Sequence, residues 1–411
     1  MEWEVTNGIL VTPDQIIAPG AIRIQDDKIA QIGKKITGEL HGPQIDLNGL
    51  MVFPGIINCH DHLLGTYLPR VGDRRPYLNW LMWDNDLKAS PVYAERQQIE
   101  SADLYQMGGY RHLIAGVTSV QDHIPHFVQD MFKDQVPIRV IDKYAVAHSA
   151  TSFALKWGGS IEEEHSLAVE KDIPFITHCS EGYDKETVES VNYLNERGAI
   201  DNHTVLIHGI AFSDDDIALL KERKSHVVWC PVSNLYMFED TAPIGKLLQA
   251  GVNVTLGTDS PMSGSVNIFE EMQVAKSYYL DTYGEVLPDK VILQMLTTNA
   301  AKAMFLPDRG KLAAGNLADF IVIHGDSSDP YSAFTSMDYG NIMLVVIGGK
   351  PRYGDELFIP LFEAMQIPVQ KIKVAGHKKV VDGDILGLLD RVRKAVGFHK
   401  ELAFLPVEPW D

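Results

Sequence analysis

One stretch of the chain reads Met51-Val52-Phe53-Pro54-Gly55-Ile56-Ile57-Asn58-Cys59-His60-Asp61-His62, an apolar segment that ends in two histidines. Side chains along a β-strand alternate between its two faces, so His60 and His62 should point one way and Asp61 the other. Two imidazoles at one strand end supply half of a typical catalytic zinc site, which keeps one position open for water. Taken alone the motif is weak, because paired histidines also occur by chance beside loops.

Helices and short apolar strands alternate from about residue 53 to about residue 308. The predicted strands are 116–122, 173–178, 204–208, 226–230 and 252–259, and the predicted helices are 96–115, 161–170, 185–197, 214–223 and 244–250. This alternation predicts an α/β fold with a parallel sheet, most simply a (β/α)₈ TIM-like barrel. Residues 136–147 supply either one long strand or two short ones, which leaves the strand count open on that side.

Strand patterns without helices occupy both ends of the chain. Before residue 53, apolar stretches are separated by turn residues such as Asp26-Asp27, and strand patterns return after residue 308. We expect these ends to pair into a small β-sandwich beside the barrel. The predicted parts are residues 1–52 and 309–360 for the sandwich, 53–308 for the barrel, and 361–411 for a C-terminal extension. In that extension, residues 384–396 form an amphipathic helix.

Composition narrows the possible partners. The formal net charge of −19 over 411 residues disfavours nucleic acid and anionic membranes as partners. No stretch has the length of a membrane span, and the N-terminus lacks a signal-peptide pattern. Only three cysteines are present, at positions 59, 179 and 230, which fits a reducing compartment. We therefore expect a cytoplasmic protein that acts on a small molecule, with a homo-oligomer possible.

Further titratable residues follow other predicted strands. His178, His208 and Asp259 each stand at a strand end, and Glu181 lies three residues after His178. Each one alone could be a core or turn residue, but together at the mouth of one barrel they indicate a metal site. A divalent ion lowers the pKa of a water toward about 7. A nearby carboxylate that is not a ligand, such as Glu181, can then act as general acid and base.

Several motifs in order give the chain a family resemblance over roughly residues 1–360. They are the Pro-Gly-x-x-x-x-His-x-His ending at His62, the Gly-Val-Thr-Ser-Val-x-Asp ending at Asp122, His178-x-x-Glu181, Cys230-Pro-Val-Ser-Asn234, Gly257-Thr-Asp-Ser260 and Thr297-Thr-Asn-Ala-Ala301. The chain resembles the amidohydrolase superfamily, in the branch of cytosine, guanine and S-adenosylhomocysteine deaminases and triazine hydrolases. The tail beyond about residue 360 departs from the usual ending.

The resemblance implies specific roles for these residues. It implies one divalent ion, most simply Zn²⁺ with Fe²⁺ or Mn²⁺ as alternatives, held by His60, His62, His178 and Asp259. It implies Glu181 as the proton shuttle and His208 as the residue that orients or polarises the attacked centre. Asp259 is expected to share in proton transfer.

The expected reaction is hydrolysis of a C–N bond in a nitrogen heterocycle or related small molecule, with release of ammonia. The alternatives are a triazine-type chlorohydrolase, a binuclear amide hydrolase of the dihydroorotase or dipeptidase type, and a catalytically silent scaffold. The binuclear alternative needs a bridging lysine, for which Lys143 and Lys156 are the only candidates.

Other side chains have weaker indications. We predict that Ser233, Asn234, Arg70 and Trp83 contact the substrate. We predict that the three cysteines are small apolar residues packed beside the ligands. The remaining histidines, including His112, His123, His126 and His148, are predicted to be structural.

Overall fold

The N-terminal segment forms part of a large sheet. The computed structural model describes residues 1–410. Its first strands are β1 (Glu2–Val11), β2 (Ile16–Gln25), β3 (Lys28–Gly33), β4 (Gln44–Asp46) and β5 (Met51–Pro54). Strands β2 and β3 pair antiparallel around the predicted two-residue turn, where Asp26 has a positive φ of 55°. Aspartate tolerates this left-handed conformation better than most residues, which explains how so short a turn closes.

Eight parallel strands follow, in two sheets. They are β6 (Ile56–Asp61), β7 (Val117–Asp122), β8 (Arg139–Val140), β9 (Ala145–Ser149), β10 (Phe175–Cys179), β11 (Thr204–His208), β12 (His226–Trp229) and β13 (Asn253–Leu256). Strands β6 to β8 form one sheet in chain order, and β9 to β13 form the other. The stretch 136–147, left open by the sequence, therefore supplies two short strands.

The first and last parallel strands lie side by side. The Asp259 amide, just after β13, donates a hydrogen bond to the His60 carbonyl on β6 over 3.1 Å. A Cβ at Gly257 would lie only 2.7 Å from the Cβ of His60. Glycine at this position lets the two backbones approach, so the histidine motif and Asp259 share one edge of the parallel strands.

Helices connect the parallel strands. They are α1 (Trp80–Ala89), α2 (Pro91–Arg96), α3 (Ser101–Ile114), α4 (His126–Phe132), α5 (Ile161–Lys171), α6 (Lys185–Val188), α7 (Ser190–Glu196), α8 (Asp214–Arg223), α9 (Pro231–Phe238), α10 (Ile244–Ala250), α11 (Ile268–Tyr283), α12 (Asp289–Leu296) and α13 (Thr298–Ala303). Capping boxes at Ser160 and Ser213 fix where α5 and α8 begin. The predicted helix 96–115 starts later, at Ser101, because Glu100 is extended. The predicted helix 185–197 is divided into α6 and α7.

The C-terminal segment returns to the large sheet. Its elements are β14 (Phe320–Ile323), α14 (Pro330–Thr335), β15 (Ile342–Ile347), β16 (Lys350–Asp355), α15 (Ile359–Ala364), β17 (Val369–Val374), β18 (His377–Asp382), α16 (Ile385–Val396) and β19 (Val407–Pro409). Strand β14 pairs antiparallel with β5, so the two ends of the chain join in one eleven-stranded sheet, as the sequence predicted for their pairing.

The sheet continues past residue 360, the predicted end of the C-terminal sandwich segment. Strand β18 pairs with β16, and β17 lies between β18 and β19. The predicted extension is therefore built largely from strands of the same sheet. Lysines alternate with apolar residues along β17, and only the inward-facing Ile372 and Val374 are buried. Within residues 1–410, the structure contains no helix with the length and apolar character needed to cross a membrane.

A buried ion pair supports the edge that carries the histidines. Asp61, on the opposite face of β6 from His60, accepts hydrogen bonds from Arg111 of α3 and from the Thr258 hydroxyl, the latter at 2.7 Å. Both Asp61 and Arg111 are fully buried. Burial alone would raise the pKa of Asp61, but the charge of Arg111 and the nearby His112 lower it to about 2.

Removing one partner of this pair should destabilise the protein strongly. We expect Arg111→Met to lower the free energy of unfolding by about 3–5 kcal/mol, because it leaves a buried carboxylate without its counter-charge. The matched control is Arg391→Met, since Arg391 on α16 pairs with Asp103 of α3 at the surface over 2.8 Å. That change should cost less than about 1 kcal/mol. Urea unfolding curves measure both, and equal losses would refute the special role of the buried pair.

Candidate metal and catalytic site

Four strand ends bring the predicted ligands together. The ring centres of His60 in β6 and of His62, just after it, lie 4.9 Å apart. The ring centre of His60 lies 5.0 Å from that of His178 in β10 and 5.6 Å from that of His208 in β11. The Oδ1 atom of Asp259 lies 3.8 Å from Nε2 of His60 and 3.7 Å from Nε2 of His62. The structure thus gathers at one place the residues that the sequence predicted from separate strands.

The backbone is strained where these strands end. Ser180, His208 and Asp259 all have positive φ angles, of 52°, 75° and 50°. Non-glycine residues in this region are held there only when the surrounding structure enforces it, and such residues concentrate at functional sites. His208 is the last residue of β11, and Asp259 follows β13 by three residues.

Hydrogen bonds set the orientation of His178 and Asp259. The Nδ1–H of His178 donates to the His148 carbonyl over 2.6 Å, which leaves Nε2 as the lone-pair nitrogen. On Asp259, Oδ2 accepts the hydroxyls of Ser233 and Ser263, each at 2.8 Å, and Oδ1 accepts the Ser260 amide at 2.7 Å. Metal-binding histidines and carboxylates are typically supported in this way by outer partners.

The donor atoms fit a divalent ion. Among residues 1–410, neither buried ring nitrogen of His60 has a hydrogen-bond partner, which is costly unless a ligand occupies one of them. Two sets of side chains each place their donor atoms within 4.8 Å of one another. One set is His60, His62 and Asp259, and the other is His60, His178 and His208, so His60 belongs to both. Burial, reinforced by the other histidines, lowers the pKa values of His60 and His178 well below the usual range, so their imidazoles are neutral.

Glu181 faces His208 across the site. Its Oε1 lies 3.5 Å from Nε2 of His208, and its side chain is almost completely buried. Burial, and next the negative charge of Asp259, raise the pKa of Glu181 well above its usual value. A carboxyl group with a raised pKa, outside both sets of clustered donor atoms, can both accept and return a proton.

The four predicted substrate contacts each have a protein partner in the structure. Ser233 bonds Asp259, and the Asn234 Oδ1 accepts the Nδ1–H of His208 over 2.8 Å, so both lie at the site and hold its residues. Arg70 pairs with Glu270 at 2.7 Å, and the Trp83 indole donates to the Val71 carbonyl at 2.9 Å. Contact of these four with a substrate stays a prediction.

Two histidines that the sequence analysis treated as structural belong to the site region. The ring of His123 lies 4.3 Å from that of His178, and the carbonyl of His148 accepts the His178 bond described above. His123 directly follows β7, and His148 is the fourth of the five residues of β9. His178 was predicted as a site residue because it lies at a strand end, and the same criterion fits His123 and His148. Trp157, in the loop after β9, lies 4.5 Å from His148 and 6.4 Å from His62.

Neither the cysteines nor the lysines supply further ligands. Cys59 and Cys230 pack in an apolar cluster, and burial raises the pKa of the Cys59 thiol to about 12. Lys143 and Lys156, the only candidates for a bridging carboxylated lysine, are both exposed. Within the described residues 1–410, neither of these two lysines lies in a buried position suited to a binuclear site.

Comparison with known proteins gives a family match over part of the chain and several relatives. The profile of the Amidohydrolase family matches residues 160–352, which include His178, Glu181, His208 and Asp259. Over these residues the chain is similar to the amidohydrolase family. It is 28% identical over 373 residues to a 5-methylthioadenosine/S-adenosylhomocysteine deaminase of Syntrophobacter fumaroxidans, covering 78% of this chain and 84% of the relative. It is 26% identical over 368 residues to a 5'-deoxyadenosine deaminase of Methanothermobacter thermautotrophicus, covering 77% and 84%.

Solved structures share the fold of this chain. An adenosine deaminase of Xanthomonas campestris with bound zinc superimposes with a TM-score of 0.76 at 18% identity, covering 96% of this chain and 97% of that one. A triazine hydrolase variant gives a TM-score of 0.76 at 17% identity, covering 96% and 99%. The chain is a metal-dependent hydrolase of small molecules that acts on carbon–nitrogen bonds other than peptide bonds.

Proposed function

We propose that the protein is a mononuclear zinc aminohydrolase that removes the amino group of an adenosine-type nucleoside and releases ammonia. The observation that carries this proposal is the position of Glu181, a buried carboxylate 3.5 Å from His208 and beside the clustered donor atoms. The names of the two relatives support the substrate class.

We also propose that the two parallel sheets, adjacent through β6 and β13, form one (β/α)₈ barrel, and that the eleven-stranded sheet corresponds to the predicted sandwich.

His60, His62, His178 and Asp259 would hold the ion. Their neutral imidazoles and one carboxylate suit zinc, and iron or manganese would also fit such a donor set. When bound, the ion lowers the pKa of water and polarises the attacked carbon. Asp259 is oriented to bind the ion, because three hydrogen-bond donors fix its carboxylate with Oδ1 toward His60 and His62.

The chain's own residues then move the protons. Glu181 takes a proton from the attacking water and delivers it to the leaving nitrogen, which turns the amino group into ammonia. Its raised pKa makes the return of the proton favourable near neutral pH. His208 presents Nε2 to the same space and orients the reacting ring, since Nδ1 is engaged by Asn234.

The reaction class can be tested with one panel of substrates. Zinc-loaded protein is incubated with 5'-deoxyadenosine, 5'-methylthioadenosine, S-adenosylhomocysteine, a chloro-s-triazine and dihydroorotate. We expect ammonia and the corresponding inosine-type product from at least one nucleoside. Release of chloride from the triazine, or hydrolysis of dihydroorotate, without ammonia from any nucleoside would overturn the proposal.

The pH dependence should report the titration of Glu181. Because the carboxylate form must accept the proton and the pKa is raised, kcat/KM should fall, as pH is lowered, at a pH above the usual glutamate range near 4.3. The profile is measured together with zinc content at each pH, which separates protonation from loss of metal. Activity that stays constant down to pH 4.5 with zinc retained would contradict the role of Glu181.

A further inference from the structure

We propose that Glu271 of α11 is a positioning residue that caps the N-terminus of α9 and thereby holds Ser233 against Asp259. Glu271 belongs to neither set of clustered donor atoms. Its role rests on the proposed function, in which Asp259 is a zinc ligand. It adds to that function a task for a buried carboxyl group that takes no part in the reaction itself.

Helix α9 does not cap its own first turn. Its first residue, Pro231, has no amide hydrogen, so Val232 carries the first N–H group of the helix. Within residues 1–410, the side chain of the preceding residue, Cys230, makes no capping hydrogen bond. The first amides of a helix have no partner inside it, and a buried amide without a partner is costly. An acceptor for Val232 must therefore come from elsewhere in the chain.

Glu271 supplies this acceptor. Its Oε1 accepts the Val232 amide over 3.1 Å, and a backbone amide can only donate, so the direction of the bond is fixed. Glu271 is 0% exposed and Val232 is 6% exposed, so water is poorly placed to replace either group. Burial raises the pKa of the Glu271 carboxyl well above its usual range. An uncharged glutamine should therefore be a close substitute for this side chain.

The capped turn carries Ser233, the residue next to Val232. The Ser233 hydroxyl donates to Oδ2 of Asp259 over 2.8 Å, and an ionised carboxylate can only accept. The other oxygen of Asp259, Oδ1, lies 3.8 Å from Nε2 of His60 and 3.7 Å from Nε2 of His62. A shift of the first turn of α9 would therefore move the hydroxyl that orients this carboxylate toward the other ligands.

Three substitutions separate the position of the acceptor from its charge. Glu271→Met removes the acceptor, Glu271→Asp withdraws the carboxyl by the length of one methylene group, and Glu271→Gln keeps an oxygen at the original reach. Loss of an outer partner of a metal ligand typically costs 10–100-fold in metal affinity. We therefore expect zinc binding to weaken by about 10-fold or more in the methionine and aspartate variants, and to keep the wild-type affinity in the glutamine variant.

Zinc dissociation constants are measured by chelator competition with the metal-free proteins, and urea unfolding gives their stability. The matched control is Asp329→Ala. Asp329 accepts the Ser332 amide over 3.2 Å and so caps α14, another helix with proline at its first position. The control should leave zinc affinity unchanged even if it lowers stability. If the methionine variant fails to fold, the aspartate variant is measured in its place.

A double-mutant cycle with Ser233→Ala tests the route through α9. If Glu271 acts through Ser233, then Glu271→Met should add little to the loss of zinc affinity in the Ser233→Ala protein, whereas independent effects would multiply. Wild-type zinc affinity in Glu271→Met, multiplied losses in the double variant, or a glutamine variant as weak as the methionine variant would overturn the proposal. Zinc binding is measured without substrate, so a failure to deaminate any nucleoside would reject the proposed reaction and leave this result unaffected.

Discussion

Replacement of Glu181 with glutamine should lower turnover by ~10²–10⁴-fold, the usual contribution of general acid–base catalysis. Glutamine has nearly the same shape but can neither accept the proton of water nor pass one to the leaving nitrogen. Metal content should not change, because Glu181 belongs to neither set of clustered donor atoms. Substrate binding should change far less than turnover, because this interaction is realised in the transition state.

The matched control is Glu186→Gln. Glu186 lies on α6, five residues further along the chain, where its carboxylate accepts bonds from the amide and hydroxyl of Ser152 at the surface. This change should leave kcat almost unaltered. Metal content, kcat and KM of the two variants are measured side by side. A Glu181→Gln protein that stays active, or that has lost its metal, would show that Glu181 has another role.

Replacement of His60 with alanine should remove most of the bound metal and with it the activity. His60 is the residue common to both sets of clustered donor atoms, and both of its ring nitrogens lack a protein partner. Alanine takes away the central ligand and leaves a cavity that the fixed side chains around it cannot fill. Metal analysis after dialysis should give well under one equivalent per chain.

His126→Ala provides the control for this second variant. His126 begins α4, and its Nε2–H donates to the Tyr144 carbonyl over 2.7 Å, away from the donor clusters. That protein should keep about one equivalent of metal. If His60→Ala retained as much metal as His126→Ala, the proposed ligand set would be wrong.

The site's main residues could be predicted because each one follows an apolar strand. Strand β11 and helices α8 and α10 have the bounds that the sequence predicted. In parallel α/β folds the carboxyl ends of strands meet at one edge. Alternation within β6 likewise predicted that His60 and Asp61 face opposite ways, and Asp61 indeed turns to Arg111.

The histidines at 123 and 148 were predicted to be structural, although they lie at the ends of β7 and β9, strands as long as those that carry His178 and His208. What places them in the site region is the packing of β7 and β9 beside β6 and β10, which depends on contacts distant in sequence. The partners of Ser233 and Asn234 were missed for the same reason. Both sit on the first turn of α9, and which groups that turn meets is decided by how α9 crosses the ends of β11 and β13.

The continuation of the large sheet beyond residue 360 was missed for a different physical reason. Strands β17 and β18 carry many lysines, which disfavour a buried strand when the sequence is considered alone. Lys379 of β18 is nevertheless fully buried, because its ammonium donates to the Ile342 carbonyl at 2.6 Å and pairs with Asp355 at 3.2 Å. Tertiary partners of this kind outweigh local propensity.

The most direct measurement is a titration of the metal-free protein with zinc, in which bound metal and the rate of ammonia release are followed together with an active nucleoside. We expect no activity without metal, a rate that rises in proportion to bound zinc, and a plateau at one equivalent per chain. Full activity in the metal-free protein, or a rate that continues to rise to two equivalents, would contradict a mononuclear metal-dependent aminohydrolase.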